Sequence, residues 1–235
     1  MNDYGYDDPR GLAARLKNGK NFARSPEEIL KSVRSSNLQE YWKNPDDGLN
    51  NPELFLMPDG WLRSVRLFEI IRALIPPEQN PKILEIGSNV GRNLMMLWFG
   101  KYRILTGIEL SERAIVMMRK TFCDSMSITV HAGEIEKLIY NLTTNSFDII
   151  FTMAVLEHLP PQSEHVFSQI VRVMKQYLVT VEDERSLSWR HFPRRYDTVF
   201  KSFGLKQVKT IKNIDGLPRS FVCRIFRKEV MKNDE

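Results

Sequence analysis

The stretch Lys82-Ile83-Leu84-Glu85-Ile86-Gly87-Ser88-Asn89-Val90-Gly91-Arg92-Asn93 constrains this chain more than any other. It begins as a short apolar run without helical spacing and breaks at Gly87. After Gly91 it resumes with Leu94, Met95, Leu97 and Trp98, which fall on one face of a helix. The pattern predicts a strand, a tight loop and a helix. A Cβ on either glycine would obstruct the turn or a ligand's approach, and the free N–H groups that open the helix face whatever occupies the loop. Glu109 closes a second apolar segment, Ile104-Leu105-Thr106-Gly107-Ile108. It stands roughly twenty residues after the first loop, where a carboxylate can accept both hydroxyls of a ribose.

Two further pieces follow in order: Ala132-Gly133-Glu134 after a third strand, then Ser146-Phe147-Asp148-Ile149-Ile150-Phe151-Thr152-Met153-Ala154-Val155-Leu156-Glu157-His158-Leu159-Pro160. With Glu85-x-Gly-x-x-x-Gly91 and Glu109, this set resembles the class I methyltransferases that use S-adenosylmethionine (SAM), in the branch with a "VLEHLP" segment after the fourth strand. The resemblance runs from about Trp61 to Phe226. It implies cofactor contacts at Glu85, Gly87, Ser88, Asn89, Gly91 and Asn93, at Glu109 and Leu110 for the ribose, at Gly133, Glu134 and Ile135 around the adenine, and at Thr152. The family's third loop glycine is Asn89 here, a residue that tolerates left-handed backbone.

The implied fold is α/β: a three-layer Rossmann-like sandwich with a seven-stranded, mostly parallel sheet in the order 3-2-1-4-5-7-6, strand seven reversed, and an N-terminal helical extension. At 235 residues with 42% hydrophobic content, the chain suits one domain (residues 60–230) plus that extension (residues 1–59). No apolar run is long enough to span a bilayer. The start, Met1-Asn2-Asp3-Tyr4-Gly5, lacks a basic-then-apolar leader, so a cytoplasmic protein is expected. Cys123 and Cys223 have no metal spacing and are expected as buried free thiols. The formal charge of +5 is assigned to a solvated lysine-rich surface, and nucleic acid is not expected as a partner.

Along the chain, Ser25-Pro26-Glu27-Glu28 reads as a helix start, with Ile29, Leu30 and Val33 on one side. Tyr41 and Trp42 open a turn-rich segment through Asn51 that is either a lid over the pocket or an anchor for the extension. A helix is expected over 60–75 on Leu62, Val65, Phe68 and Ile71 or Ile70, with Arg63 and Arg66 as candidate partners of the SAM carboxylate. Strands are expected over 103–108, 127–131, 147–152, 177–181, 205–211 and 221–227. Helices are expected over 111–121, 134–140, 163–175 and 189–203. Leu94 to Phe99 reads as core.

Methyl transfer from a sulfonium needs alignment and exclusion of water, and a hydroxyl acceptor also needs a base. His158, beside Glu157, and His191 compete for that role, with a structural part for His158 as the alternative. Ser188-Trp189-Arg190-His191-Phe192-Pro193-Arg194-Arg195-Tyr196 is read as the acceptor segment, with Trp189, Arg190, Arg194, Tyr41 and Trp42 as substrate contacts. No metal is expected, because the adjacent acids Glu182-Asp183-Glu184 rarely converge on one ion. The expectation is an O-methyltransferase for a small molecule or glycan precursor, working as monomer or homodimer. RNA or protein methylation, or a non-catalytic SAM-binding subunit, are the alternatives.

Overall fold

A computed structural model describes residues 35–45, 50–121 and 127–229. The helix start at Ser25 and the surroundings of Cys123 lie outside the described residues. Helix α1 (Ser35–Lys43) is followed by two 3-10 turns, Pro52–Leu56 and Pro58–Gly60, and by α2 (Trp61–Leu74). The alternating part comprises β1 (Lys82–Ile86), α3 (Arg92–Phe99), β2 (Ile104–Glu109), α4 (Glu112–Thr121), β3 (Ile128–Ala132) and α5 (Ile135–Leu138). It continues with β4 (Phe147–Met153), α6 (His165–Val173), β5 (Met174–Asp183), α7 (Tyr196–Ser202), β6 (Leu205–Lys212) and β7 (Phe221–Lys228).

The seven strands form one sheet in the order β3-β2-β1-β4-β5-β7-β6. β1 pairs in parallel with β2 and β4, and β7 runs antiparallel to both β5 and β6. This is the order and the reversed strand that the resemblance implied. Both faces are covered, so β1 and β4 read as continuous apolar runs. Ile83, Ile149, Phe151 and Val179 pack on the side of α2 and α3, while Leu84, Ile86, Ile150 and Leu178 pack on the side of α5, α6 and α7. Cys223 belongs to the first side, fully buried and free. Asp148 sits at the other end of the sheet from the glycine loop, accepting from the Lys82 N–H at 2.9 Å.

Several local expectations give way to tertiary packing. The buried stripe of α2 is Ser64, Leu67 and Ile71, while Leu62 is half exposed. A hydroxyl inside the apolar stripe disguised its position. Tyr41 and Trp42 lie in the last turn of a helix rather than in a turn. The expected helix from Trp189 begins only at Tyr196. Residues 188–195 are irregular, pinned by a two-residue antiparallel bridge between Ser188 and His191, and Pro193 has no N–H to continue a helix. α6 stops at Val173 and passes straight into β5, which is twice the expected length. α5 is a single turn relayed by a 3-10 turn at Ile139–Asn141. Phe99 is exposed rather than core, and Trp98 lies under the Arg103 guanidinium at 4.8 Å.

Phe200 of α7 sits between the rings of Phe167 at 5.9 Å and Phe226 at 5.2 Å, so it joins α6, α7 and β7. Replacement of this fully buried ring, Phe200→Ala, is expected to cost about 3–5 kcal/mol, read as a lowered denaturant midpoint with an unchanged slope.

Candidate functional site

Gly87 and Gly91 adopt left-handed backbone (φ 73° and 75°), as does Asn89 between them (φ 47°). The loop is therefore three left-handed positions in five residues, which explains why asparagine can stand where the family has glycine. The Gly87 and Ser88 N–H groups both donate to the Ile108 carbonyl, at 2.8 and 3.0 Å, tying the loop to β2. The Ser88 side chain is turned into the sheet, where its Oγ occupies the space a Cβ on Gly107 would fill.

Glu109, at the end of β2, accepts from the Asn89 N–H at 2.6 Å and the Ser111 N–H at 2.8 Å. Each carboxylate oxygen still has a lone pair for a ligand hydroxyl. Burial raises its pKa despite these amides. The Gly133 N–H donates to the Glu109 carbonyl at 2.8 Å, which brings the third-strand loop against the same residue. Glu134 is paired with Lys137 at 2.6 Å and with Lys43 of α1 at 3.8 Å, and Ile135 is buried in the core. Leu110 follows at the rim, half-buried.

Beneath the loop runs a chain of side-chain hydrogen bonds that the sequence did not reveal. Arg92 Nε donates to Ser64 Oγ (2.8 Å), Ser64 Oγ to Asn93 Oδ1 (2.6 Å), and Asn93 Nδ2 to Glu85 Oε1 (2.7 Å). Arg92 also donates to the Phe55 carbonyl at 2.9 Å, and both Arg92 and Arg63 lie over the Phe55 ring. The Arg92 guanidinium uses the space left by Gly60, where a Cβ would stand 2.1 Å from Nη1. Burial and the neighbouring Arg63 lower the Arg92 pKa to about 10. Arg66, in contrast, is exposed and paired with Glu69 and Asp215.

Glu85 Oε2 is buried and has no hydrogen-bond partner among the described residues, and burial pushes this carboxyl up to about 8. The donor set fits the cofactor that the resemblance implies. A buried carboxylate oxygen in need of a cation and a second carboxylate with room for hydroxyls suit a sulfonium-bearing amino acid joined to a nucleoside.

The other half of the site is built on Glu182, fully buried at the end of β5. It accepts from Thr152 Oγ1 (2.6 Å), the Val155 N–H (2.9 Å) and the Glu157 N–H (3.3 Å). Thr152 is thus committed to Glu182 and reaches no surface. Glu157 accepts from the Asp183 N–H and lies 3.6 Å from His158 Nε2. His158 Nδ1 bonds the Arg190 carbonyl at 2.7 Å, and its ring lies between Trp42 (4.4 Å) and His191 (4.7 Å). Burial, then the charge of His191, holds His158 down at about 3, and burial with Arg190 lowers His191 as well, so both imidazoles are neutral near pH 7.

The structure therefore brings together Tyr41, Trp42, Trp189, Arg190, His158 and His191. Tyr41 and Trp189 meet edge-on at 5.0 Å, and Arg190 stacks on Tyr41 and hydrogen bonds its hydroxyl. Arg194 stands apart, nearly buried and engaged with Glu164, the Phe192 carbonyl and the Phe167 ring.

Residues 84–177 match a family described as a methyltransferase domain. None of the curated proteins matches the chain by sequence. Among solved structures, the fold is similar to the complex between the Haloferax volcanii Trm112 methyltransferase activator and a putative methyltransferase, with TM-score 0.63 and 13% identity over 85% of this chain and 100% of that one. It is similar to magnesium protoporphyrin IX methyltransferase from Synechocystis with bound SAH, with TM-score 0.60 and 13% identity over 83% and 100%. A SAM-dependent methyltransferase from Archaeoglobus fulgidus gives TM-score 0.55 and 15% identity over 70% and 94%. At these identities the likeness is one of fold.

The buried acids make the stability of the ligand-free protein depend on pH. The carboxyls of Glu85 (about 8) and Glu182 (about 7) titrate above their unfolded values. Their contribution to stability is complete below about pH 4.5 and is lost as the pH rises through 7 and 8. The melting temperature is expected to fall between pH 6.5 and 8.5, above the range in which the two depressed imidazoles titrate, by about 2–4 °C per kcal/mol for a chain of this size, and Glu85→Gln to flatten that slope. Gly87→Ala is expected to abolish cofactor binding, since its Cβ would meet Val155 Cγ2 at 2.3 Å. Gly204→Ala, at a similar positive φ with open space around it, should cost only about 1 kcal/mol, measured by thermal melting and calorimetry.

Proposed function

We propose that this chain is a class I S-adenosylmethionine-dependent methyltransferase and delivers its methyl group to an oxygen of a small molecule or glycan precursor. When bound, SAM supplies a methyl carbon already activated by its sulfonium. Glu109 would hold the ribose hydroxyls, Glu85 the cationic end and Arg63 the carboxylate, with the glycine loop between them. Gly133, Glu134 and Ile135 would line the adenine side.

The observation that carries the acceptor reading is the seat of α1. Trp42 lies 4.4 Å from His158, and Tyr41 lies 5.0 Å from Trp189, so this part of the extension roofs the end of β4 and β5. A site covered in this way suits a small acceptor better than a polymer. Its wall offers aromatic faces, the Arg190 guanidinium and a buried Trp42 Nε1–H with no hydrogen-bond partner among the described residues, which together suit an oxygen-rich or anionic molecule. Glu157, His158 and His191 activate the acceptor hydroxyl as a cluster. Residues 1–59 act as extension and lid, and residues 60–230 as the catalytic domain, in the cytoplasm, as monomer or homodimer. Among the described residues no helix is long and apolar enough to cross a membrane.

Transfer of a labelled methyl group into a fractionated lysate tests the reading. The label is expected in the low-mass fraction and to survive ribonuclease and protease. Loss of label with either enzyme would mean a polymer acceptor instead, and tight SAM binding with no transfer would mean a non-catalytic subunit. Glu109→Ala is expected to weaken SAM by about 1–3 kcal/mol in calorimetry. His191→Ala should lower kcat by about 100-fold or more with SAM affinity unchanged.

A further inference from the structure

We propose that Glu157, His158 and His191 form a binding site for a divalent transition-metal ion. One donor atom from each lies within 4.8 Å of the other two. The three come from two segments that the sheet brings together, the 3-10 turn Leu156–His158 after β4 and the Ser188–His191 bridge after β5. Phe192, next to His191, donates its N–H to the Glu157 carbonyl at 2.7 Å and fixes the two segments to each other.

Each donor already has the second contact that orients a metal ligand. His158 Nδ1 lies 2.7 Å from the Arg190 carbonyl, an acceptor only, so Nδ1 carries the proton and Nε2 presents a lone pair. Nε2 is the nitrogen 3.6 Å from Glu157 Oε1. His191 Nδ1 pairs with Ser188 Oγ at 2.7 Å, which commits that nitrogen and leaves Nε2. Glu157 Oε2 accepts from the Asp183 N–H, leaving Oε1 for the ion.

Two imidazoles and one carboxylate are the donors that zinc and other first-row divalent ions take, and three protein ligands leave a position open. Donors bound to one ion at about 2.0–2.2 Å stand closer together than this cluster does, so the irregular segment carrying His191 moves inward on binding. The adjacent acids that argued against a metal take no part. Glu182 is occupied by Thr152 and two backbone amides, and Asp183 by Ser186, Ser220 and the Arg185 N–H. In the acceptor reading above, on which this consequence alone rests, the open position receives the acceptor oxygen.

The full-length protein, stripped with a chelator, is titrated with Zn2+ in a calorimeter and with Co2+ as a spectroscopic probe. One ion per chain is expected, with visible d–d absorption for Co2+. His158→Gln, His191→Gln and Glu157→Gln are each expected to weaken binding by about tenfold or more. The glutamine at 157 keeps an oxygen for the Asp183 N–H, so an unchanged melting temperature certifies its fold. No heat and no Co2+ spectrum, or an affinity that all three variants retain, overturns the proposal. SAM calorimetry on the same stripped sample separates the two readings. Cofactor heat without a metal signal ends the metal site and leaves the transferase standing. A metal signal without cofactor heat does the reverse.

Discussion

Backbone amides capping buried carboxylates hold this site together. Glu109 gathers the glycine loop and the start of α4, Glu182 gathers the turn after β4, and Glu157 holds the end of β5. At Glu109 and Glu182 a loop that leaves the carboxyl end of the neighbouring strand has N–H groups with no sheet partner, and the strand-end acid supplies the acceptor; at Glu157 the parts are exchanged, and an acid in the turn after β4 takes the last N–H of β5. The cost is desolvation, visible in the upward pKa of all three acids. The return is loops of fixed shape. Ala154 is held at φ 56°, a conformation that costs an L-residue roughly 1–2 kcal/mol, and the Glu182 bond to the next N–H, that of Val155, helps to hold it there.

Much of the sheet was legible because its signals are local. Apolar runs, glycines at fixed offsets and acids at strand ends are properties of adjacent residues, and they gave the strand order through the resemblance. What failed depended on partners far away in sequence. The apolar stripe expected of α2 leaves out Ser64, whose bonds are to Arg92 and Asn93, nearly thirty residues on. The segment from Trp189 has helical composition, yet Pro193 and the pull of Glu157 on the Phe192 N–H keep it irregular. Arg92 gave one sequence signal, its place immediately after the second glycine.

The candidate site was legible in pieces rather than as a whole. Tyr41, Trp42, Trp189 and the two histidines were singled out separately, by residue type and by their place after strand ends. That they meet follows from the last turn of α1 packing on the turn after β4 and the segment after β5, and from the Ser188–His191 bridge, and neither has a periodic signature. Arg194, of the same residue type and only four positions from Arg190, is drawn instead to Glu164 and Phe167. Composition could not separate the two arginines.

Helix α1 reaches two separate loops beyond the strand ends, through Lys43 at Glu134 after β3 and through Trp42 at His158 after β4. In the proposed reading these loops are the nucleoside side and the acceptor side, and one helix would cover both. On that reading spent cofactor and finished product would leave in one opening event, and the cycle would advance by rounds of unroofing rather than by independent traffic at two mouths.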